Sequence, residues 1–218
     1  MPKNIKVDFH CHTSASGDGH IRLDELMDSC NRRGIDKVAI TDHNTVTSAL
    51  DGATQWPDRI IPGLEIMTSR GELIAYFVRK PVKPGLEPME TIRLLKAQDA
   101  VISVSHPFDV FRNGGWKIAC LLEIIPHLDA IETMNAHCIT SLPNLRAKAF
   151  ARKYGLAGTA GSDAHDPSEI GAAGLILPDF QDSPGLRNGL RSATSFGRLT
   201  SLGARMINRL NRPHRDSH

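Results

Sequence analysis

A series of short apolar runs in this chain each stop on a histidine or a carboxylate, and that recurrence narrows what the chain can fold into. The first is Val7-Asp8-Phe9-His10-Cys11-His12-Thr13. Val7, Phe9 and Cys11 alternate with Asp8, His10 and His12, the two-residue period of a strand, which puts both histidines on one face. At a rise of about 3.3 Å per residue their Cα atoms lie roughly 6.6 Å apart, close enough for two imidazoles to meet at one metal ion. The event repeats downstream. Val38-Ala39-Ile40 runs into Thr41-Asp42-His43, Ile60-Ile61 into Gly63-Leu64-Glu65, and Val101-Ile102-Ser103-Val104 into Ser105-His106-Pro107. Ile131-Glu132 leads to Asn135-Ala136-His137, and a run from Leu156 leads to Gly161-Ser162-Asp163-Ala164-His165.

Between these runs the period changes to that of helices. Leu23, Leu26, Met27 and Cys30 share one helical face, Asp24, Glu25 and Asp28 lie towards its start, and Gly34 is the expected stop. Further helices are expected near 45–50, 89–95, 116–125, 143–154 and 184–191, and a last strand over 171–177. The segments 60–69 and 72–78, joined through Arg70-Gly71, read as a hairpin. Alternating β and α elements with ligand-type residues at the C-terminal ends of strands predict an α/β fold, a TIM-like barrel with its site at that rim. Residues 1–198 read as one domain and 199–218 as a basic tail, with Leu199, Leu202, Met206, Ile207 and Leu210 on one side of a possible helix.

Composition removes other classes. Arg205, Arg209, Arg212 and Arg215 against Asp216 account for more than the whole net charge of +2, so the body lacks the broad basic face of a nucleic-acid binder. No apolar run reaches the roughly 18 residues of a membrane span, and Met1-Pro2-Lys3-Asn4 enters a strand directly, without a secretory core; a cytoplasmic protein is expected. Cys11, Cys30, Cys120 and Cys138 have neither zinc-knuckle nor disulfide spacing and are expected to be inert. His20, His127, His214 and His218 fall outside the strand-end pattern and are expected in solvent.

His10-x-His12, Asp18, Thr41-Asp42-His43, Gly63-Leu64-Glu65, Ser105-His106-Pro107 and Gly161-Ser162-Asp163-Ala164-His165 resemble, in order and spacing, the successive motifs of the polymerase and histidinol phosphatase (PHP) superfamily of metallophosphoesterases. The resemblance runs from residue 7 to about 177 and is nearest to the small stand-alone bacterial members. It implies a distorted seven-stranded barrel with two or three divalent ions, Mn, Zn or Fe. On that resemblance His10, His12, Glu65 and Asp163 hold one ion, Glu65 bridges to a second that His106 binds, and Asp18, His43 and His165 hold a third. Many members carry a histidine where this chain has Asn135. Asn135 as a neutral ligand, His137 as its substitute, or a loosely held second ion remain open, because strand parity puts both residues on one face.

The function implied is hydrolysis of a phosphate mono- or diester of a small metabolite or nucleotide by metal-activated hydroxide, with Asp18, Glu65 and His165 in catalytic roles and no stable nucleic-acid complex. Arg70, Arg112 and His137 are candidate substrate contacts, since a guanidinium matches two phosphate oxygens. Asp8, Asp42 and Glu132 read equally as acceptors that orient ligand imidazoles and as plain turn or strand-end hydrogen bonds. Two other readings compete: an amidohydrolase-type hydrolase of a carbon-centred substrate, and a metal-holding module without turnover.

Overall fold

The computed structural model describes residues 3–112 and 114–200. The basic tail from residue 201 on, with His214 and His218, lies outside the described residues. Seven strands form a nearly closed barrel: β1 (Asn4–Cys11), β2 (Lys37–Ile40), β3 (Ile60–Met67), β4 (Glu72–Tyr76), β5 (Val101–Val104), β6 (Ala130–Asn135) and β7 (Ala157–Gly161). β1 to β3 run parallel, as do β5 to β7, and β4 between them is antiparallel to both neighbours. Six strands therefore end at one rim, while β4 begins there. Helices α1 (Leu23–Arg33), α2 (Thr47–Gln55), α3 (Pro88–Lys96), α4 (Ile118–Ile124) and α5 (Leu142–Tyr154) cover the outside, in the order expected. The hairpin is β3–β4, registered Glu65 to Ile74 and Met67 to Glu72.

Local chemistry sets these boundaries. In α1, Asp24 and Glu25 occupy the first turn, the Glu25 carboxylate accepts the Arg22 N–H, and Gly34 ends the helix at φ +63°. Phe9, Tyr76 and Phe180 fill the barrel below the rim, with Phe9 edge-on to Tyr76 at 5.2 Å between ring centroids. Outer clusters seat α1 and α2 on β1 to β3, and α3 to α5 on β3 to β6. The β1–β2 ladder slips between Asp8 and Cys11, so Cys11 packs among the α1 and α2 residues while Phe9 stays in the barrel. Among the described residues no helix is long and apolar enough to cross a membrane.

The chain does not finish as expected. After β8 (Ala173–Pro178) and α6 (Ser183–Leu190) comes a further strand, β9 (Thr194–Gly197). β8 runs antiparallel to the first half of β1, and β9 antiparallel to β8, so both extend the sheet beyond the barrel. β9 escaped the sequence reading because it holds one large apolar side chain, Phe196, on a mostly exposed edge and has no alternation to detect.

Closure comes from the second half of β1 meeting the end of β7. The Asp163 N–H donates to the His10 carbonyl at 2.7 Å, and the His12 N–H to the Ala164 carbonyl at 2.9 Å. Gly161 permits the approach: a Cβ there falls 2.4 Å from His10 Cβ and 2.5 Å from its backbone N. Backbone cannot retreat as a side-chain tip can, so Gly161→Ala is expected to destabilise the fold by about 1–3 kcal/mol. Urea denaturation with an unchanged m-value and a lowered midpoint is the expected readout.

Candidate metal centre

The rim gathers side chains from seven separate strand ends. Glu65 is at the centre, wholly buried: its Oε2 lies 3.2 Å from each of His10 Nε2, His12 Nε2 and His43 Nδ1, and its Oε1 3.2 Å from His106 Nε2. Asp163 Oδ1 stands 3.3 Å from His12 Nε2 and 3.5 Å from His10 Nε2. On the solvent side Asp18 Oδ2 lies 3.2 Å from His165 Nε2 and 3.4 Å from His43 Nε2. Asp163 and His106 both sit at positive φ, +54° and +20°, conformations that bulky residues adopt only where surrounding structure enforces them.

The imidazoles are oriented from behind. His10 Nδ1 pairs with Glu132 Oε1 at 2.9 Å, His12 Nδ1 with Ser16 Oγ at 3.3 Å, and His165 Nδ1 donates to the Asp163 carbonyl at 2.9 Å. Each ring has Nδ1 engaged and turns Nε2 towards the cluster, the nitrogen that a metal ion would take in place of a proton. Glu132 thus orients the His10 imidazole. Asp42 instead accepts the Thr13 N–H at 2.6 Å and its hydroxyl at 2.7 Å, a turn clamp. Asp8 accepts N–H groups of His10, Ser162 and Gly171 and the Ser162 hydroxyl, and burial lifts its carboxyl to about 6.

Other expectations separate. Arg112 joins the cluster: its Nη1 lies 2.6 Å from Asp163 Oδ2, and Asp109, itself buried, braces its Nε at 3.4 Å. Arg70 does not. Its guanidinium is taken up by Glu87 at 3.1 Å and Glu123 at 3.2 Å on the outer face, because a residue at the hairpin turn points away from the barrel axis. His137 lies beside His165, with ring centroids 5.3 Å apart, and its Nδ1 donates to the same Asp163 carbonyl at 3.0 Å. Asn135 turns its amide nitrogen, not its oxygen, towards Asp163. His20 and His127 are half-buried rather than in solvent.

Two carboxylates escaped the sequence reading. Glu72, the first residue of β4, puts Oε2 3.7 Å from His106 Nε2 and Oε1 3.9 Å from His43 Nδ1. The hairpin register is the signal that finds it, since Glu72 sits two residues from Ile74, the partner of Glu65. Glu169, buried beyond Asp163, accepts the His165 N–H at 3.0 Å, and its only sequence trace is the Asp166-Pro167 turn before it.

Donor atoms converge in overlapping sets within 4.8 Å: His10, His12 and Asp163; His12, Asp18, His43 and His165; His43, Glu65 and Glu72; His137, His165 and Glu169. Asp163 Oδ1 and His106 Nε2 are buried with no hydrogen-bond partner. Buried polar atoms are nearly always paired, so these two, set among imidazoles and carboxylates, fit a site for cations. Burial alone pushes Glu65 and Asp163 towards protonation, but the imidazoles, and for Asp163 first the Arg112 guanidinium, outweigh it and hold both well below the usual range. Burial together with the neighbouring Glu65 charge raises Glu72.

Residues 8–100 match the PHP domain family and residues 141–194 the PHP-associated family. An uncharacterized protein of Methanocaldococcus jannaschii, MJ0417, is 33% identical over 172 residues, covering 78% of this chain and 69% of its own length. In fold the chain resembles a two-domain protein of Bacteroides vulgatus that contains a predicted PHP-like metal-dependent phosphoesterase, with a TM-score of 0.70 at 19% identity. That likeness covers 90% of this chain and 66% of the two-domain protein. It also resembles an amidohydrolase of Chromobacterium violaceum, solved with sulfate and no metal, with a TM-score of 0.61 at 15% identity over 76% and 89% of the two chains.

Metal binding and proton binding compete here. Burial lowers the His12 pKa, but the carboxylates of Asp163 and Glu65, 3.3 and 3.2 Å from its Nε2, outweigh it and lift it to about 9. Against about 6.5 in the unfolded chain, that proton stabilises the metal-free fold fully below pH 6.5 and is lost as pH rises to about 9. The chelated protein is expected to lose melting temperature between pH 7 and 9, with a smaller loss in Mn²⁺-loaded protein, both followed by thermal scanning.

Proposed function

The chain belongs to the PHP superfamily, and on that premise we propose that it is a metal-dependent phosphoesterase acting on a phosphate mono- or diester of a small metabolite or nucleotide. The observation that carries this reading is the pair of buried donors without a hydrogen bond, Asp163 Oδ1 beside His10 and His12 and His106 Nε2 beside Glu65, with the Arg112 guanidinium at the edge. His10, His12, Glu65 and Asp163 would hold one divalent ion, Glu65, His106 and Glu72 a second, and Asp18, His43 and His165 a third. Mn, Zn and Fe all suit this mixture of imidazole and carboxylate. Such ions supply the Lewis acidity that makes water a nucleophile near neutral pH and neutralises phosphate oxygens.

The chain's own residues do the rest. Glu65, reached by four imidazoles, holds the cluster together. Arg112 binds a phosphate oxygen with the donors it does not spend on Asp163 and Asp109, since a guanidinium carries five. Asp18, the most exposed member with 48% of its side chain accessible, and His165 line the side open to solvent, where the leaving group departs and takes up its proton. His137 borders the same opening and contacts the ester's remaining group. Residues 1–198 form the catalytic unit.

Purified protein reconstituted with Mn²⁺ is expected to release p-nitrophenol from p-nitrophenyl phosphate or its bis-ester, and Asp163→Ala or chelation is expected to abolish release. Arg112→Ala is expected to raise KM about 10- to 100-fold, the worth of a charged hydrogen bond, with the ion count at saturation unchanged. Turnover of amides or lactones with none of phosphates would replace this reading by the amidohydrolase one. Bound metal with no turnover of any ester would leave the metal-holding module.

A further inference from the structure

Strand β6 reaches the rim with an amide where a ligand is expected, and that amide is held on every side. Asn135 is wholly buried. Its Nδ2 donates to Asp163 Oδ2 at 3.0 Å and to Glu132 Oε2 at 3.1 Å, and its Oδ1 accepts the His137 N–H at 2.8 Å. Asn144 of α5 clamps its backbone, accepting the Asn135 N–H at 3.0 Å and donating to its carbonyl at 3.0 Å. Rotating the amide by half a turn would set Oδ1 against two carboxylate oxygens and Nδ2 against an N–H. All three contacts would become repulsive, so the network dictates the orientation.

The two carboxylates Asn135 joins have different tasks. Glu132 orients His10 through Oε1, and its Oε2 also accepts the His106 N–H at 2.8 Å. Asp163 spends Oδ2 on Asn135 and Arg112, while Oδ1 has no hydrogen bond and faces His10 and His12. An oxygen with two strong donors already in place is a poor ligand; one with none is a good one.

We infer that Asn135 is a positioning residue and not a metal ligand: with Arg112 it occupies Asp163 Oδ2, leaving Asp163 to bind through Oδ1 alone, and it cross-links that carboxylate to the Glu132 that orients His10. This rests on the metal-dependent reading of the cluster. It resolves the sequence's open choice at β6, because the second ion is then completed from β4 by Glu72 and draws no ligand from Asn135.

The test is a Mn²⁺ titration against a chelating dye on the full chain, with ions counted by mass spectrometry at saturation and folding checked by circular dichroism. Asn135→Ala and Asn135→Asp are compared with wild type. As a donor clasp, Asn135 makes both variants bind the tightest ion about 10- to 100-fold more weakly at an unchanged count, with Asp no better than Ala, because its carboxylate faces two others. As an oxygen ligand it would make Asp bind more tightly than wild type, or Ala lose one equivalent with the rest unaltered; either result overturns the inference. Asp preserves the side-chain shape, so the comparison stands if Ala does not fold. The Co²⁺-substituted protein gives a second readout. With Arg112 the one donor left on Oδ2, Asp163 can swing towards chelation, so Asn135→Ala is expected to lower the visible absorption per ion, which a merely structural role leaves unchanged. Wild type that binds no divalent ion would overturn the metal reading and this inference together, whereas bound metal without phosphoester turnover would remove the phosphoesterase reading alone.

Discussion

Closure of the barrel between β1 and the segment after β7 is the constraint on which the site depends, and one buried carboxylate organises it. Asp8 accepts four hydrogen bonds, from His10, Ser162 twice, and Gly171, and so ties the first strand to residues more than 150 positions later. A loop of that length costs only slightly more entropy to close than one half as long, but it needs a contact that is specific as well as favourable. Hydrophobic packing around Phe9 and Tyr76 brings the strands together without fixing their stagger. The Asp8 acceptor geometry fixes it, and with it the distance from Asp163 to His10 and His12. Burial lifts the Asp8 carboxyl to about 6, so the folded chain gives up stability when this group ionises between about pH 4 and 6. That cost is accepted for register.

The cluster follows the same logic at higher charge. Glu65, Glu72 and Asp163 are buried around the same set of imidazoles, Glu65 and Glu72 beside His43 and His106 and Asp163 beside His10 and His12. Bare carboxylates in that space would be prohibitively desolvated and mutually repulsive. Protonated imidazoles offset them in the metal-free protein, since the surrounding carboxylates raise the pKa of His10 and His12. Cations satisfy the same excess of negative charge without the protons. A set of groups that is stable only when positive charge enters, as protons or as ions, fits a metal.

The rim was legible in the sequence where the strands run with the barrel. His10, His12, His43, His106 and Asp163 each close an apolar run, and their parallel strands deliver them to one end. Glu72 was not legible by that rule because β4 is reversed: the residue it delivers to the rim comes at its beginning, directly after the Gly71 turn. Arg70 misled for the related reason that a cation in a turn beside a site faces outward as easily as inward, and Glu87 and Glu123 draw it out. Asn135 and His137 share strand parity, and only the clamp from Asn144, nine residues on in the next helix, separates their roles.

The difference between Glu132 and Asp42 shows where local pattern ends and tertiary contact begins. Each is an acidic residue in or just beyond a strand that leads to the rim, and in sequence they carry the same two readings. Asp42 lies just past the end of β2, where the chain turns, and the Thr13 N–H and hydroxyl saturate it from the neighbouring strand. Glu132 lies three residues before the end of β6, where the side chain still points across the barrel, and it meets His10 from β1, the His106 N–H and the Asn135 amide. For these two residues depth along the strand goes with the role: Asp42 stabilises a turn, and Glu132, deeper in its strand, reaches the back of the His10 imidazole. That depth also explains why the supporting residues are as buried as the donors they hold, since a ligand imidazole stays oriented only if water cannot compete for its second nitrogen.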